Sequence, residues 1–288
     1  MTLTRQYVKL CDVQDFADPD LQLLIAELVP GATGIHRKHW ELARAALFLQ
    51  EVDAARNGAA ILDVGAGQDR LLYWLANRVR SVVAIDLYGE GEWASGEADA
   101  AMLANPAAFA PFPYREGALE VRHMDARQLE FPDASFDAVV SLSSIEHFGG
   151  PAGIRRAATE IGRVVKPGGH AFLVTECFVS RHPFNSPLVQ TAVRLTTLNR
   201  RARAAKPRRR MEDVLTWREI VANIIRPSGL RLMQPLDRSL TQGTFANVVR
   251  ILEGRLVYTN GPESPHILLR ARGAPFTSVA LALEKPGR

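Results

Sequence analysis

The densest chemistry in the chain lies in Ile61-Leu62-Asp63-Val64-Gly65-Ala66-Gly67-Gln68-Asp69-Arg70, where an apolar run meets a glycine turn and then a helical pattern. Glycines at such a turn let main-chain atoms approach a ligand closely, and the first amides of the following helix favour an anionic group. A dinucleotide fingerprint requires glycine at the sixth position of GxGxxG, where this sequence has Arg70. A nicotinamide cofactor is therefore disfavoured. A second apolar run ends in Asp86, placed to accept hydrogen bonds from ribose hydroxyls, and a third ends in Asp125. Each feature alone is satisfied by a tight turn or an exposed loop carboxylate. Their joint occurrence at successive strand ends points to a bound nucleoside.

Such residues need a scaffold that brings strand ends to one edge. Short β-branched runs alternate with helix-period segments, the pattern of a doubly wound α/β sheet. Strands are predicted at 59–64, 81–85, 119–124, 136–142, 170–177, 230–236 and 276–284. Asp18-Pro19 caps and starts a helix to Val29, a second helix runs from about Ile35 to Val52, and a third spans Leu71–Asn77. Ile154, Ala157, Ala158, Ile161 and Val165 define one face of a fourth, stopped by Lys166-Pro167-Gly168-Gly169. Thr216-Trp217-Arg218-Glu219 is a capping box that opens another. Residues 1–57 read as an N-terminal helical cap and 58–288 as the sheet domain. Its connections at 87–118, 179–215 and 238–275 are long enough to act as lids.

With these positions in place, the chain resembles the class I S-adenosylmethionine-dependent methyltransferases, in their small-molecule branch. Asp63-Val64-Gly65-Ala66-Gly67 resembles the family's first motif, Asp86-Leu87 its ribose-binding acid and the residue after it, and Asp125-Ala126 its adenine-recognition position. Phe136-Asp137-Ala138-Val139-Val140-Ser141 followed by Glu146-His147 resembles the fourth motif, and Val165-Lys166-Pro167-Gly168-Gly169 the turn before the fifth strand. The resemblance implies a Rossmann-like, mostly parallel seven-stranded sheet with an antiparallel last strand. It also implies S-adenosyl-L-methionine as cofactor, S-adenosyl-L-homocysteine as product, and cofactor contacts from Asp63, Gly65, Ala66, Gly67, Asp86, Leu87, Asp125, Ala126 and Ser141. The family often has a third glycine where this chain has Asp69, an acid facing either the cofactor's amino group or Arg70.

Methyl transfer from a sulfonium is an in-line displacement, so the enzyme aligns acceptor and methyl, excludes water and, for a hydroxyl acceptor, removes a proton. His147, just beyond the fourth strand, is the candidate base, with Glu146 beside it; an imidazole suits that role near neutral pH. Some relatives bind a divalent metal through Glu-x-x-Glu-His, but here the earlier Glu position is Ser143, and Glu176 or His182 would have to substitute. No metal is expected. His36, Lys38 and His39 form a polar cluster on a helix of the kind that roofs the acceptor pocket in this family.

The 288 residues contain 35 Lys+Arg against 31 Asp+Glu and are 47% hydrophobic, a globular composition. Cys11 and Cys177 are the only cysteines, far apart, and suit a reducing cytosol. No stretch approaches a membrane span, so no membrane partner is expected. Charge is unevenly spread: residues 1–177 hold 16 basic and 24 acidic side chains (16 − 24 = −8), and 178–288 hold 19 and 7 (19 − 7 = +12). The basic run from Arg194 to Arg210 supports a rival reading, a nucleic-acid methyltransferase. Against it, no aromatic residue lies between Asn185 and Thr216 to stack bases, and Ser141-Leu142-Ser143-Ser144 stands where base-amino methylation uses an NPPY-type sequence. A non-catalytic cofactor-binding scaffold is the other rival. The leading expectation is a cytoplasmic enzyme methylating a small molecule, at a hydroxyl of a sugar or specialised metabolite.

Overall fold

A computed structural model of the chain describes residues 2–91, 94–179, 213–252, 255–261, 263–271 and 274–287. The β-branched runs form the parallel centre of one sheet: β2 (Ala60–Val64), β3 (Ser81–Asp86), β4 (Leu119–His123), β5 (Phe136–Leu142) and the start of β6 (Val165–Phe178). Every residue of β2 is buried, as a strand covered on both faces requires. β11 (Ala274–Glu284) returns antiparallel along β6, the orientation expected of the last strand.

The sheet order is β4-β3-β2-β5-β6-β11-β10-β8-β9. One side of β11 is taken by β6; the other is shared by β10 (Leu268–Ala271), β1 (Lys9–Leu10) and β7 (Arg231–Leu232). β8 (Val248–Leu252) and β9 (Arg255–Tyr258) extend the sheet outward from β10. Among the described residues eleven strands thus replace the expected seven. The extra ones come from β1 and from 238–275, where a lid was expected and three strands are found instead. The strand expected at 230–236 contracts to the two residues of β7. The Lys166-Pro167-Gly168-Gly169 stop lies inside β6, where the pairing with β5 jumps from Phe136–Val165 to Ala138–His170. The glycine turn is absorbed as an irregularity of a long strand rather than preceding a short one.

Helices cover both faces. α1 (Pro19–Leu28), whose first turn is capped by the Asp18 carboxylate accepting from Asp20 N at 2.9 Å, packs with α2 (Arg37–Glu51) and α3 (Arg70–Ala76) on one side. Trp40, Phe48, Trp74 and Phe172 fill that side, with Phe48 stacked on Phe172 at 5.1 Å. On the other, α5 (Gly150–Val164) follows the short α4 (Ala101–Ala104) in the chain and buries the predicted face Ile154, Ala157, Ala158 and Ile161. α6 begins at the predicted capping box as Trp217–Ile220, widens into a π-turn over Val221–Ile225 and ends at Arg226–Ser228. It crosses α5 so closely that a Cβ on Gly162 would lie 1.7 Å from the Ser228 carbonyl oxygen.

Candidate cofactor and acceptor site

β2 leads into a turn in which Gly65 (φ 70°) and Gly67 (φ 47°) adopt left-handed backbone conformations. At Gly65 space forbids a side chain as well, because a Cβ would fall 2.5 Å from Ser144 Cβ. Gly65 N and Ala66 N donate to Ile85 O at 2.9 and 3.0 Å, which fastens the turn to β3. Asp86, the last residue of β3, accepts from Gly67 N at 2.9 Å through Oδ2 and from Leu87 N at 2.7 Å through Oδ1. Each oxygen keeps lone pairs for a further donor. Burial raises the Asp86 carboxyl, and the two amides pull it back only in part. The sequence-predicted Asp63, Gly65, Ala66, Gly67, Asp86 and Leu87 are thus gathered at the β2 and β3 ends.

Asp63 is fully buried at the end of β2, and neither carboxylate oxygen has a hydrogen-bond partner among the described residues. Asp69 occupies the N-cap position of α3 without making the capping bond, and its Oδ2 is likewise buried and unpartnered. Burial, together with Asp69 and Asp86, pushes Asp63 well above the carboxylate range. Burial also drives Asp69 up to about 7, against the pull of Lys38. Asp63 and Asp69 together present three buried carboxylate oxygens with no hydrogen-bond partner among the described residues, a setting that favours a cationic ligand group. Asp69, read from sequence as a departure from the usual glycine, lies close enough to Asp63 to act on its carboxyl. Its position directly after the glycine turn was the available signal.

Asp125 follows β4 and is anchored to the site by its neighbour, since Met124 N donates to Asp86 O at 3.0 Å. Its carboxylate faces Arg127, accepting from Nε at 2.9 Å, Nη2 at 2.7 Å and the backbone N at 2.8 Å, contacts that hold it below its ordinary value. A base amine placed there competes with a guanidinium already in place. Ala126 is buried, and Ser141 is buried on β5 with no hydrogen-bond partner for its hydroxyl among the described residues.

Beyond β5 the chain passes through Ser143, at a strained φ of 50°, into the short 3-10 turn Ile145–His147. The turn sends adjacent residues to different surroundings. Glu146 is 2% exposed, accepts from Glu176 N at 3.2 Å through Oε1, and is pushed up to about 8 by burial and by the Glu176 charge. The Thr175 hydroxyl lies near enough to favour the charged form without reaching hydrogen-bond geometry. The His147 ring is more open, with Nδ1 3.5 Å from Asp213 Oδ1.

The N-terminus of α2 closes this side. Glu41 accepts from Ser143 Oγ at 2.9 Å, Lys38 Nζ at 3.2 Å, Arg37 Nη1 at 3.1 Å and the Ser278 hydroxyl, while Arg37 Nη2 donates to Glu176. Burial raises Glu41, but Lys38, Arg37, Ser278 and Ser143 outweigh it and hold the carboxyl below its usual range. The Lys38 ammonium is near enough to both Asp69 and Glu146 to favour their charged forms. His36 instead stacks on His266 at 4.3 Å, and burial and neighbouring cations lower both rings to about 4. That pair ties α2 to the loop before β10. Arg37 and Glu41 were not found in the sequence. Ser143, which stands where metal-binding relatives have Glu, bonds to Glu41, Glu176, weighed as a substitute ligand, is engaged by Arg37, and His182 lies outside the described residues.

Residues 62–173 match the family model of a methyltransferase domain, which supports S-adenosylmethionine as the cofactor. The chain is 36% identical over 130 residues to a ubiquinone biosynthesis O-methyltransferase of Pseudomonas paraeruginosa, covering 44% of this chain and 47% of that one. It is 32% identical over 117 residues to a phosphatidylethanolamine N-methyltransferase of Cereibacter sphaeroides, covering 41% and 50%. The chain spans about half the length of the curated relatives it matches. The YcgJ protein of Bacillus subtilis shares the fold over 87% of this chain and 100% of its own, with a TM-score of 0.50 at 17% identity.

Proposed function

We propose that the protein is an S-adenosylmethionine-dependent methyltransferase acting in the cytoplasm on a hydroxyl of a small molecule, a sugar or specialised metabolite. The observation that carries the cofactor assignment is the Asp63–Asp69 pair, with its unpartnered buried oxygens, beside the Gly65–Gly67 turn and Asp86. An α-ammonium satisfies the unpartnered oxygens of the first, and a ribose diol the remaining lone pairs of Asp86. When bound, S-adenosylmethionine supplies an electrophilic methyl group on a sulfonium. Asp63 and Asp69 hold the ammonium, Asp86 orients the sugar, and Ala126 packs against the base.

The acceptor enters on the side of the 145–147 turn, below α2. His147 takes the hydroxyl proton, with Asp213 Oδ1 3.5 Å from its Nδ1. Glu146, protonated over most of the working range, positions the turn through its bond from Glu176 N. The O-methyltransferase name of one relative supports an oxygen acceptor, and the burial of both free cysteines is in keeping with a reducing compartment.

Two measurements test this reading. Calorimetry with S-adenosylhomocysteine should show binding that Asp86→Ala weakens by about 1–3 kcal/mol. Turnover, found by screening candidate hydroxyl acceptors, should fall roughly 10²–10⁴-fold in His147→Ala, with the acid limb of the pH profile lost. A His147→Gln variant that recovers most activity would reduce His147 to positioning the acceptor, and wild-type rates in both variants would remove it from the site.

A further inference from the structure

Six large apolar side chains stand exposed among the described residues, and four of them, Phe245, Leu252, Leu256 and Val257, fall within the stretch 245–257. Of these, Leu252 and Val257 share one face of the β8–β9 pair, while Leu256, opposite Ile251, lies on the other. The stretch coincides with the outer end of the sheet, where β9 is the terminal strand. In the β8–β9 pairing Arg250 lies opposite Val257 and Leu252 opposite Arg255, and in the β10–β8 pairing Arg270 lies beside Arg250. Side chains alternate along strands, so Arg250, Leu252, Arg255, Val257 and Arg270 share one face. All five are exposed. The opposite face carries Val249, Leu269 and Phe276 into a small core, which holds the unit in place and leaves its outer face without a function in folding.

Among the described residues no ion pair engages Arg250, Arg255 or Arg270. The sequence of the same strands and their turns, 248–258 and 268–276, adds Arg272 and only one acid, Glu253. We propose that this face is a peripheral docking surface for an anionic lipid bilayer. Guanidinium groups pair with headgroup phosphates, while Leu252 and Val257 between them enter the headgroup–acyl boundary. A nucleic acid would match the charge but not the aliphatic side chains. The aromatic residue of β9, Tyr258, lies on the other face, opposite Val249. No helix among the described residues is long and apolar enough to cross a membrane. That concerns spanning a bilayer, and leaves docking on its surface open. The strands lie outside the matched methyltransferase segment, so the surface stands independently of the methyl-transfer reading.

Co-sedimentation of the full chain with vesicles of mixed phosphatidylglycerol and phosphatidylcholine tests the proposal, with pure phosphatidylcholine vesicles as the uncharged comparison. Binding should require the anionic lipid and weaken as ionic strength rises. Replacing Arg250, Arg255 and Arg270 together with Gln should lower partitioning roughly 10²-fold, about fivefold for each arginine. Leu252→Ser with Val257→Ser should lower it about tenfold. Unfolding midpoints should match the parent, because every altered side chain is exposed. The proposal is overturned if acidic vesicles are not bound, or if both variants partition like the parent, which would assign the attraction to the basic run 194–210. It is equally overturned if the variants lose RNA binding or self-association instead of vesicle binding.

Discussion

The pairing of Asp63 with Asp69 sets a proton balance that the cofactor site must resolve. Burial and mutual repulsion keep both carboxyls from ionising in the ordinary range: Asp69 holds its proton up to about pH 7, and Asp63 is pushed well above the carboxylate range. An arriving ammonium takes over the role of that proton. Binding therefore releases a proton, and affinity for S-adenosylhomocysteine should rise with pH through about 7. Calorimetry in buffers of differing ionisation enthalpy reads the released proton directly. The sign for stability is the reverse. A carboxyl whose pKa is higher in the folded than in the unfolded chain binds more protons folded, so the ligand-free protein loses stability as pH climbs from about 4 toward 7. Asp69→Asn should accordingly raise the ligand-free unfolding midpoint at neutral pH while weakening cofactor binding. A variant that loses both, or binds unchanged without releasing fewer protons, would show that Asp69 does not face the ammonium.

At the level of elements, legibility followed how local the cause was. The β2 turn and Asp86 could be read because strand end, glycine and carboxylate obey short-range rules, and α5 because four apolar positions recur on one face. The polar network under α2 draws Arg37, Glu41, Ser143, Glu176 and Ser278 from four separate elements, and no periodicity announces it. The β8–β9 hairpin was missed although two apolar runs are separated only by Glu253-Gly254, a spacing that marks a hairpin. The network fixes how α2 sits over the site, and it is sensitive to loss of one partner. Removing Glu41 leaves the buried Arg37 guanidinium short of a counter-charge, so Glu41→Ala should cost about 3–5 kcal/mol in urea unfolding. Glu41→Gln, which keeps hydrogen bonds, should cost less. Because its carboxyl is held low, the Glu41 contribution is present above the unfolded carboxylate pKa and fades as pH falls through the lower folded value. A loss below 1 kcal/mol in Glu41→Ala would mean that packing alone seats α2.

Over the whole molecule, charge and chemistry divide along the chain. The acidic side chains of 1–177, eight in excess, include the pair that awaits a cation, whereas 178–288 carries twelve excess positive charges. A field of that sign steers anions and draws the protein to anionic surfaces, but over distances beyond a Debye length of about 8 Å it is screened at physiological salt. For a neutral acceptor held below α2, the basic run therefore has no step to accelerate. Arg208, Arg209 and Arg210 lie outside the described residues, and their replacement together by Gln should leave kcat and KM for a neutral small acceptor within about twofold of the parent. The same substitution should lower the dependence of vesicle or polyanion binding on salt, because each lost cation releases one fewer counterion. The two readouts separate a charge that guides location from one that acts in the reaction. If turnover collapses while S-adenosylhomocysteine still binds, the run holds an anionic group of the acceptor itself. The small neutral hydroxyl substrate would then give way to a phosphorylated metabolite or nucleic acid.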